Sequence, residues 1–313
     1  MKAMILAAGL GTRLRPLTDN RPKALVELSG RTLLEITLTR LRTFGVTEVI
    51  INVHHFADLI IDYLKSNKNF GMRIEISRED VLLDTGGGLK KAGWFFLEDS
   101  TRLDEPFLLH NVDVISTIDL SHMLQFHTEN QALATIAVQS RETSRYLLFD
   151  DHFHLRGRRT SGTATSAPSR GFGAMNPGCA PQSTAAQNSS GMASVDPEAR
   201  EVAPKRSESL EVRQGTASAV PQSVVSSGAS APEVESSQPL HALAFSGIHI
   251  ISPRLLPMLT EEGIFSIIPS YLRLAAQGQK ILAFRADNYY WRDLGKPGDL
   301  AQAAQDLQQN VFL

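Results

Sequence analysis

The chain begins MKAMILAAGLGTRLRPLTDNRPKALVEL, residues 1–28, and this stretch decides the fold. A short apolar run, Ala3 to Ala8, is typical of a buried strand. It passes directly into a loop with two glycines, Gly9 and Gly11, and two arginines, Arg13 and Arg15. The sequence therefore predicts a strand that leads into a loop suited to holding anions.

The residue types in this loop favour a polyphosphate ligand. Gly9 and Gly11 lack a Cβ, so the backbone can take positive φ and turn successive N–H groups toward negatively charged oxygens. Thr12 adds a hydroxyl donor, and Arg13 adds a guanidinium that can hold phosphate in a bidentate way. Lys23 supplies a further positive charge on a flexible stem. The alternative is an ordinary glycine turn with solvated basic residues.

Two common glycine motifs are excluded. A dinucleotide fingerprint requires a third glycine where this chain has Leu14, and a P-loop requires a G-K-[ST] element that is absent. The stretch instead closely resembles the signature of the sugar-1-phosphate nucleotidyltransferase family, L-A-A-G-x-G-T-R-L-x-P-L-T followed by P-K. That signature is long and specific.

Composition points to a small-molecule partner. The net charge of -2 and the pI near 6.5 give no electrostatic footprint for nucleic acid. The single cysteine, Cys179, cannot form an intramolecular disulfide, and no apolar run approaches the length of a membrane span or a signal peptide. We expect a cytoplasmic protein that acts as a monomer or small homo-oligomer, without a nucleic acid or membrane partner.

Strand and helix patterns alternate along most of the chain, which indicates a parallel sheet covered by helices. We predict an α/β domain with a doubly wound, mostly parallel Rossmann-like sheet and ligands at the carboxyl ends of its strands. The predicted strands span 3–8, 48–53, 72–77, 107–111, 132–139, 242–251, 281–285 and 289–291, and the predicted helices span 33–44, 57–65, 88–98, 121–130, 264–277 and 298–309.

The alternation fails between residues 156 and 240. This stretch is rich in Ser, Ala, Gly, Pro, Gln and Thr and poor in aromatic residues, so it lacks the apolar surface to offset the entropy of ordering. We predict a disordered, low-complexity insertion at 156–240 within a single domain formed by 1–155 and 241–313. The alternative is a linker between two domains, but the part after it is short for a second core.

Two aspartates are the candidate metal ligands. Asp113 follows a predicted strand, where a carboxylate can hold Mg²⁺ together with substrate phosphates. Its surroundings, Asn111 to Val114, resemble the family's N-x-D-V metal position. The segment Trp291 to Leu300 resembles the family's W-x-D-[LV]-G-T-P-x-D-L, and by that match Asp293 completes the Mg²⁺ site.

The resemblance also implies roles for further residues. Arg13 and Lys23 are the expected catalytic residues: Arg13 holds the β- and γ-phosphates, and Lys23 neutralises the attacking and α-phosphates. Three glycines before a helix let the backbone pass close to a planar base. The expected nucleotide-binding residues are Ala8, Gly9, Gly11, Thr12, Arg13, Gly86 and Gly87, and the expected sugar-binding residues are Asn111, Ser246 and Gly247.

The implied activity joins a sugar 1-phosphate to a nucleoside triphosphate with release of pyrophosphate. Such a reaction needs placement and charge neutralisation rather than a covalent intermediate. The short C-terminal part, without hexapeptide repeats, leads us to expect an N-acetylmuramate 1-phosphate uridylyltransferase. The alternatives are a mannose-1-phosphate guanylyltransferase, a glucose-1-phosphate thymidylyl- or uridylyltransferase and, in another class, a nucleotide-sugar sensor without turnover.

Overall fold

The structure is a computed structural model that describes residues 1–160 and 239–309. The strands are β1 (Lys2–Leu6), β2 (Glu27–Leu28), β3 (Arg31–Thr32), β4 (Glu48–Val53), β5 (Arg73–Arg78), β6 (Phe107–Asn111), β7 (Val114–Ser116), β8 (Ala134–Gln139), β9 (Arg145–Phe149), β10 (Leu155–Thr160), β11 (His241–Ile251), β12 (Ile281–Arg285) and β13 (Trp291–Asp293). The helices are α1 (Leu33–Thr43), α2 (Ala57–Ser66), α3 (Asp84–Leu97), α4 (Leu120–Glu129), α5 (Ile267–Ala276) and α6 (Pro297–Gln308). Short 3₁₀ turns connect several of them.

Local sequence signals define the ends of α1. The Thr32 hydroxyl accepts a hydrogen bond from the Glu35 backbone N–H at 3.0 Å, which caps the first turn. The chain leaves the helix after Thr43 and takes a positive φ of 76° at Gly45, where a residue without a Cβ carries no strain. The strand that follows, β4, is almost wholly buried, as expected for a strand covered on both faces.

The main sheet has a parallel part and an antiparallel part. Its strand order is β10-β9-β11-β6-β1-β4-β5, and β8 joins β11 to β12. Strands β6, β1, β4 and β5 run parallel to one another, as do β8 and β12. Strand β11 is antiparallel to each of its neighbours β6, β8 and β9. The predicted α/β class with a large central sheet is confirmed, and the antiparallel pairings of β11 were not predicted.

Helices cover both faces of this sheet. Alternate residues of β1 point to opposite sides: Ala3 and Ile5 pack in one core cluster with Leu38 of α1, whereas Met4 packs in the other with Phe95 of α3. All five of these residues are fully buried. The sheet is therefore doubly wound, and the described residues lie in one compact unit.

The structure moves two predicted boundaries. Helix α3 begins at Asp84 rather than at Gly88, so the predicted glycine loop is the first turn of that helix. Strand β10 continues to Thr160 and pairs with β9, so backbone from Arg156 onward that we assigned to the insertion is regular strand. Residues 161–238 of the predicted insertion lie outside the described residues.

Candidate active site

A cleft of about 360 Å³ opens where β1 and β6 end. The two strands run parallel, so their carboxyl ends meet at one edge of the sheet. Five residues from the sequence predictions line this cleft: Ala8, Gly9, Lys23, Asn111 and Asp113. The sheet topology thus brings the N-terminal loop and the segment after β6 to one place.

Close packing fixes the shape of the loop after β1. Gly11 has a φ of 65°, and a Cβ there would lie 3.0 Å from the Thr18 side chain and 3.2 Å from that of Lys23. The Thr18 hydroxyl donates to the Gly11 carbonyl at 2.9 Å, and the Leu14 backbone N–H donates to the same oxygen. Thr12 is exposed on the turn that follows. Only glycine fits the backbone and the space at position 11.

The two candidate metal ligands come together through a small second sheet. Strands β7 and β13 pair antiparallel, with Asp293 opposite Val114. The Leu294 backbone N–H also donates to the carbonyl of Asp113 at 2.8 Å. Asp113 precedes β7 directly and Asp293 ends β13, so the two carboxylates are neighbours although they are far apart in the sequence.

The charges around this acidic pair are unequal. The Lys23 ammonium, on a side chain only 10% exposed, forms an ion pair with the Asp113 carboxylate. Burial raises the pKa of Asp293, the nearby charge of Asp113 raises it further, and Lys23 and Arg13 oppose this rise. Oδ1 of Asp293 is buried without a hydrogen-bond partner among the described residues. A cation between the two carboxylates would offset their mutual repulsion and the cost of burying the Asp293 charge.

Arg13 reaches the same place from the N-terminal loop. A Cβ added to Gly295 would lie 2.9 Å from Oδ1 of Asp293 and 3.0 Å from Nη2 of Arg13, so the guanidinium and the carboxylate flank the same glycine. The structure therefore brings Arg13, Lys23, Asp113 and Asp293 into one cluster, of which Lys23 and Asp113 line the cleft.

The residues around the acidic pair fit a divalent cation that is shared with a ligand. Within residues 1–160 and 239–309, no group of three or more His, Cys, Asp or Glu side chains is placed to hold a metal by itself. Mg²⁺ usually takes one or two protein carboxylates, together with water and substrate phosphates. Two adjacent carboxylates, one with an unpaired buried oxygen, match that requirement.

The glycines at the start of α3 serve packing. The backbone N–H groups of Gly86 and Gly87 donate to the Phe265 carbonyl at 2.9 and 3.1 Å. A Cβ on Gly86 would lie 2.4 Å from the Phe265 ring, and one on Gly87 would lie 2.5 Å from the Gly263 carbonyl. These N–H groups are already used inside the protein, and contact of these glycines with the base stays a prediction. Asp84, at the start of the same helix, lines the cleft instead.

A buried polar network beside the cleft was missed by the sequence reasoning. Asn52, at the end of β4, accepts a hydrogen bond from the Ala7 N–H at 2.7 Å and donates to Glu79 at 2.8 Å. The other Glu79 oxygen accepts from the Leu83 N–H at 3.0 Å. Both polar side chains line the cleft and are at most 3% exposed. The sequence signal that could have revealed this network is a polar residue near the carboxyl end of each of two predicted strands: Asn52 within 48–53, and Glu79 shortly after 72–77.

The three predicted sugar-binding residues have different surroundings. Asn111 lines the cleft, and a Cβ on Gly247 would lie 3.0 Å from its Nδ2 and 2.8 Å from Val114. Gly247 has a φ of 75° and lies within a register shift between β11 and β8, so it also forms a bulge. Ser246 is fully buried, and its carbonyl accepts from the indole N–H of Trp291 at 2.6 Å.

No helix in the described part of the chain is long and apolar enough to cross a membrane.

Residues 2–148 match the model of a protein family described as nucleotidyl transferase. Over 93 residues the chain is 53% identical to an N-acetylmuramate alpha-1-phosphate uridylyltransferase of Caulobacter vibrioides, which covers 29% of this chain and 38% of that protein. Over 148 residues it is 36% identical to a mannose-1-phosphate guanyltransferase of Yarrowia lipolytica, covering 47% of this chain and 40% of that one. These matches span about two fifths of the length of the curated relatives.

Solved structures with the same fold cover almost the whole chain. HddC from Yersinia pseudotuberculosis, in a complex with GMP-PN, is similar with a TM-score of 0.61 at 19% identity, covering 98% of this chain and 99% of that one. A UDP-glucose pyrophosphorylase complexed with UDP-glucose is similar with a TM-score of 0.63 at 14% identity, covering 98% of both chains. At these identities the similarity establishes the fold. The resemblance carried by the opening motif is thus confirmed over residues 2–148, a little under half of the chain, which match the nucleotidyl transferase family model.

Proposed function

We propose that this protein is a sugar-1-phosphate nucleotidyltransferase that transfers a uridylyl group from UTP to N-acetylmuramate 1-phosphate and releases pyrophosphate. The observation that carries the proposal is the cluster formed by Arg13, Lys23, Asp113 and Asp293, of which Lys23 and Asp113 line the cleft. The choice of UTP and of this sugar is supported by the 53% identity to the Caulobacter vibrioides enzyme, which is confined to 93 residues.

The proposed reaction is a direct displacement at the α-phosphorus. A phosphate oxygen of the sugar attacks in line, and pyrophosphate leaves from the opposite side. Arg13, on the exposed turn after β1, holds the β- and γ-phosphates and stabilises the departing pyrophosphate. Lys23 neutralises the attacking phosphate and the α-phosphate. The protein positions the substrates and neutralises their charge, and no residue forms a covalent bond to the substrate.

Asp113 and Asp293 are the residues that would hold Mg²⁺. When bound, the ion would neutralise negative charge on the phosphate oxygens. The two aspartates would hold this positive charge beside the cleft, and the hydrogen bond from the Ala7 N–H to the buried Asn52–Glu79 network holds the start of the N-terminal loop. Losing one such charged contact commonly costs about 3 kcal/mol of barrier, or roughly a hundredfold in rate.

Pyrophosphate release tests the proposal directly. The purified chain is assayed with UTP, GTP and dTTP, each against the 1-phosphates of N-acetylmuramate, N-acetylglucosamine, mannose and glucose. We expect UTP with N-acetylmuramate 1-phosphate to react fastest, a chelator to stop the reaction and Mg²⁺ to restore it. If no pair releases pyrophosphate while UTP still binds, the protein is the sensor of our alternative and the proposed activity is wrong.

A mannose-1-phosphate guanylyltransferase is the second candidate. Its support is the length of the match, since the Yarrowia lipolytica relative aligns over 148 residues against 93 for the first candidate. A higher kcat/KM for GTP with mannose 1-phosphate than for UTP with N-acetylmuramate 1-phosphate would decide in its favour.

A further inference from the structure

One cation beside the acidic pair has no part in the scheme above. Arg141 lies in the loop between β8 and β9, and its guanidinium carbon stands 3.8 Å from the centre of the Trp291 ring. Its Nη2 donates to the Phe245 carbonyl at 2.5 Å. Trp291 begins β13, which ends at Asp293, and Phe245 precedes the bulge at Gly247. Arg141 therefore touches both the segment that carries a metal-binding candidate and the segment that adjoins Asn111.

The charge of Arg141 is poorly balanced within the protein. Its side chain is partly buried, and its Nε is enclosed without a hydrogen-bond partner in the described part of the chain. Burial lowers its pKa, and the negative charge of Asp293 opposes that shift. A guanidinium stays charged in proteins and has five N–H donors, of which the hydrogen bond to Phe245 uses one. None of the ion pairs formed by residues 1–160 and 239–309 includes Arg141.

A neighbouring arginine shows the usual structural arrangement. Arg292, the residue next to Trp291, makes two hydrogen bonds to Oδ2 of Asp306, at 3.0 Å from Nε and 2.8 Å from Nη2. Its charge is thus neutralised by a fixed partner. Arg141 has an aromatic platform that orients its planar fork, but no carboxylate among the described residues is paired with it. A half-buried cation in this state is stabilised when an anionic ligand supplies the missing contacts.

We propose that Arg141 binds an anionic group of the sugar substrate. This inference rests on the proposed function and goes beyond it by naming a residue that selects the sugar. Two groups share the required chemistry, the phosphate on C1 and a carboxylate carried by the sugar itself. Each of these anions has at least two oxygens that a guanidinium fork can bind through two parallel hydrogen bonds. An ammonium does not reproduce this geometry.

Kinetics of Arg141→Gln and Arg141→Lys test this inference. We expect Arg141→Gln to raise the KM for the sugar 1-phosphate at least tenfold, with the KM for the nucleoside triphosphate changed less than twofold. Arg141→Lys should recover part of the loss, because it keeps the charge but not the fork. Arg254→Gln is the matched control: Arg254 is an exposed arginine whose Nε donates to the Ser252 hydroxyl, and its loss should change neither KM.

Two sugars distinguish the two anions. N-acetylmuramate 1-phosphate carries a carboxylate that N-acetylglucosamine 1-phosphate lacks. An equal loss with both sugars assigns Arg141 to the phosphate, and a loss confined to the first assigns it to the carboxylate. An unchanged sugar KM, or an equal rise in both KM values with a lowered melting temperature in both variants, would overturn the inference and leave Arg141 a packing residue.

Direct binding separates this inference from the proposed function. Calorimetric titration of each sugar 1-phosphate into the wild-type protein and into Arg141→Gln requires no turnover. If the wild type binds the sugar phosphate but releases no pyrophosphate, the proposed activity is wrong, while a tenfold weaker affinity of the variant still supports Arg141 as the anion-binding residue. Equal affinities of the two proteins, or no binding to the wild type, would overturn it.

Discussion

At the scale of single residues, Asp113 and Asp293 differ although the proposal gives them the same task. Asp113 has a fixed cation, because Lys23 forms an ion pair with it. Asp293 has a buried oxygen without a partner in the described chain, and its pKa is raised by burial and by the charge of Asp113. The ionised form of Asp293 therefore costs folding free energy at neutral pH, which is the usual condition of a site that holds a cation.

The first prediction concerns Asp293→Asn. An amide cannot replace the carboxylate at a metal ion, so turnover should fall at least a hundredfold, or about 3 kcal/mol. Without Mg²⁺ at neutral pH, the same change should raise the melting temperature, because it removes a buried charge that repels Asp113. The measurements are pyrophosphate release and thermal unfolding on one preparation.

Asp62→Asn is the control for this experiment. Asp62 is an exposed carboxylate on α2, and its neutralisation should alter neither activity nor melting temperature. An Asp293→Asn variant that keeps a tenth or more of wild-type turnover would contradict the assigned role.

The second prediction compares two glycines that the sequence placed in one class. Gly86→Ala should lower the free energy of unfolding by about 2 kcal/mol, because its Cβ would overlap the Phe265 ring at 2.4 Å. Gly9→Ala has nothing within 4 Å of the new Cβ, so its stability should stay within about 0.5 kcal/mol of wild type.

Gly9 lines the cleft, so Gly9→Ala should instead raise the KM for the nucleoside triphosphate. Urea unfolding and steady-state kinetics of both variants check the comparison. The assignment is wrong if Gly86→Ala unfolds like the wild type, or if Gly9→Ala loses stability and keeps its KM.

At the scale of elements, two pairings bring the site together. The β7–β13 pair sets Asp113 beside Asp293, and the bulge in β11 brings Gly247 against Asn111. The first does not depend on a long element, since β7 and β13 have three residues each. These short strands act as connectors that depend on the main sheet for their position.

The third prediction concerns the packing of α4 on β8. His127 is 2% exposed, and its Nδ1 lies 3.0 Å from the Thr135 hydroxyl. Burial, together with the charge of Arg254, lowers the pKa of His127 to about 4. An imidazole in the unfolded chain titrates near pH 6.5, so between about pH 6.5 and 4 the unfolded state binds a proton that the folded state does not. As the pH is lowered from about 6.5 to 4, the free energy of unfolding should therefore fall, and His127 should account for about 3 kcal/mol of that fall.

Urea unfolding of His127→Gln at several pH values between 7.5 and 4.5 measures this effect. The variant should lose less stability than the wild type on acidification, even if it is less stable at pH 7.5. His122→Gln, which changes an exposed histidine on the same helix, should keep the wild-type slope. Parallel plots of unfolding free energy against pH for the wild type and His127→Gln would show that His127 does not contribute to the loss of stability at low pH.

At the scale of the whole molecule, the predicted insertion can be tested with the catalytic part intact. Thr160 of β10 pairs with Arg145 at the start of β9, and His241 of β11 pairs with Phe149 at its end. Thr160 and His241, near the two ends of the gap in the described residues, therefore lie at opposite ends of β9. Strands rise about 3.4 Å per residue and lie about 4.8 Å apart, so these two residues are about 15 Å or more apart. A replacement linker must span that distance.

The fourth prediction is that replacing residues 161–238 with a flexible Gly/Ser linker of about twelve residues leaves turnover within threefold of wild type. Such a linker has a mean end-to-end distance near 19 Å, which is long enough to join β10 to β11 without strain. The measurement is pyrophosphate release, with thermal unfolding to confirm folding. A folded but inactive variant would show that the segment is part of the catalytic machinery and would refute the predicted insertion.

Much of the fold could be predicted from the sequence because the signals are local. The buried runs of β1 and β4, the cap at Thr32 and the end of α1 before Gly45 are each encoded within a few residues. The loop after β1 was predicted for the same reason, since backbone freedom at Gly11 and the charges of its neighbours are properties of adjacent residues, and its binding of anions stays a prediction. The start of α3 was missed because glycines disfavour a helix interior, and tertiary contacts with Phe265 override that preference.

Local sequence was enough to predict the α/β class and the loop after β1, and a family resemblance singled out the two aspartates as candidate metal ligands. Which side chains meet became clear only from the three-dimensional arrangement of the strands. The pairing of β7 with β13, the Asn52–Glu79 network and the stacking of Arg141 on Trp291 each join segments that are far apart in the chain. A long-range contact depends on strand order and register, which follow from how the whole core packs rather than from any local stretch of residues.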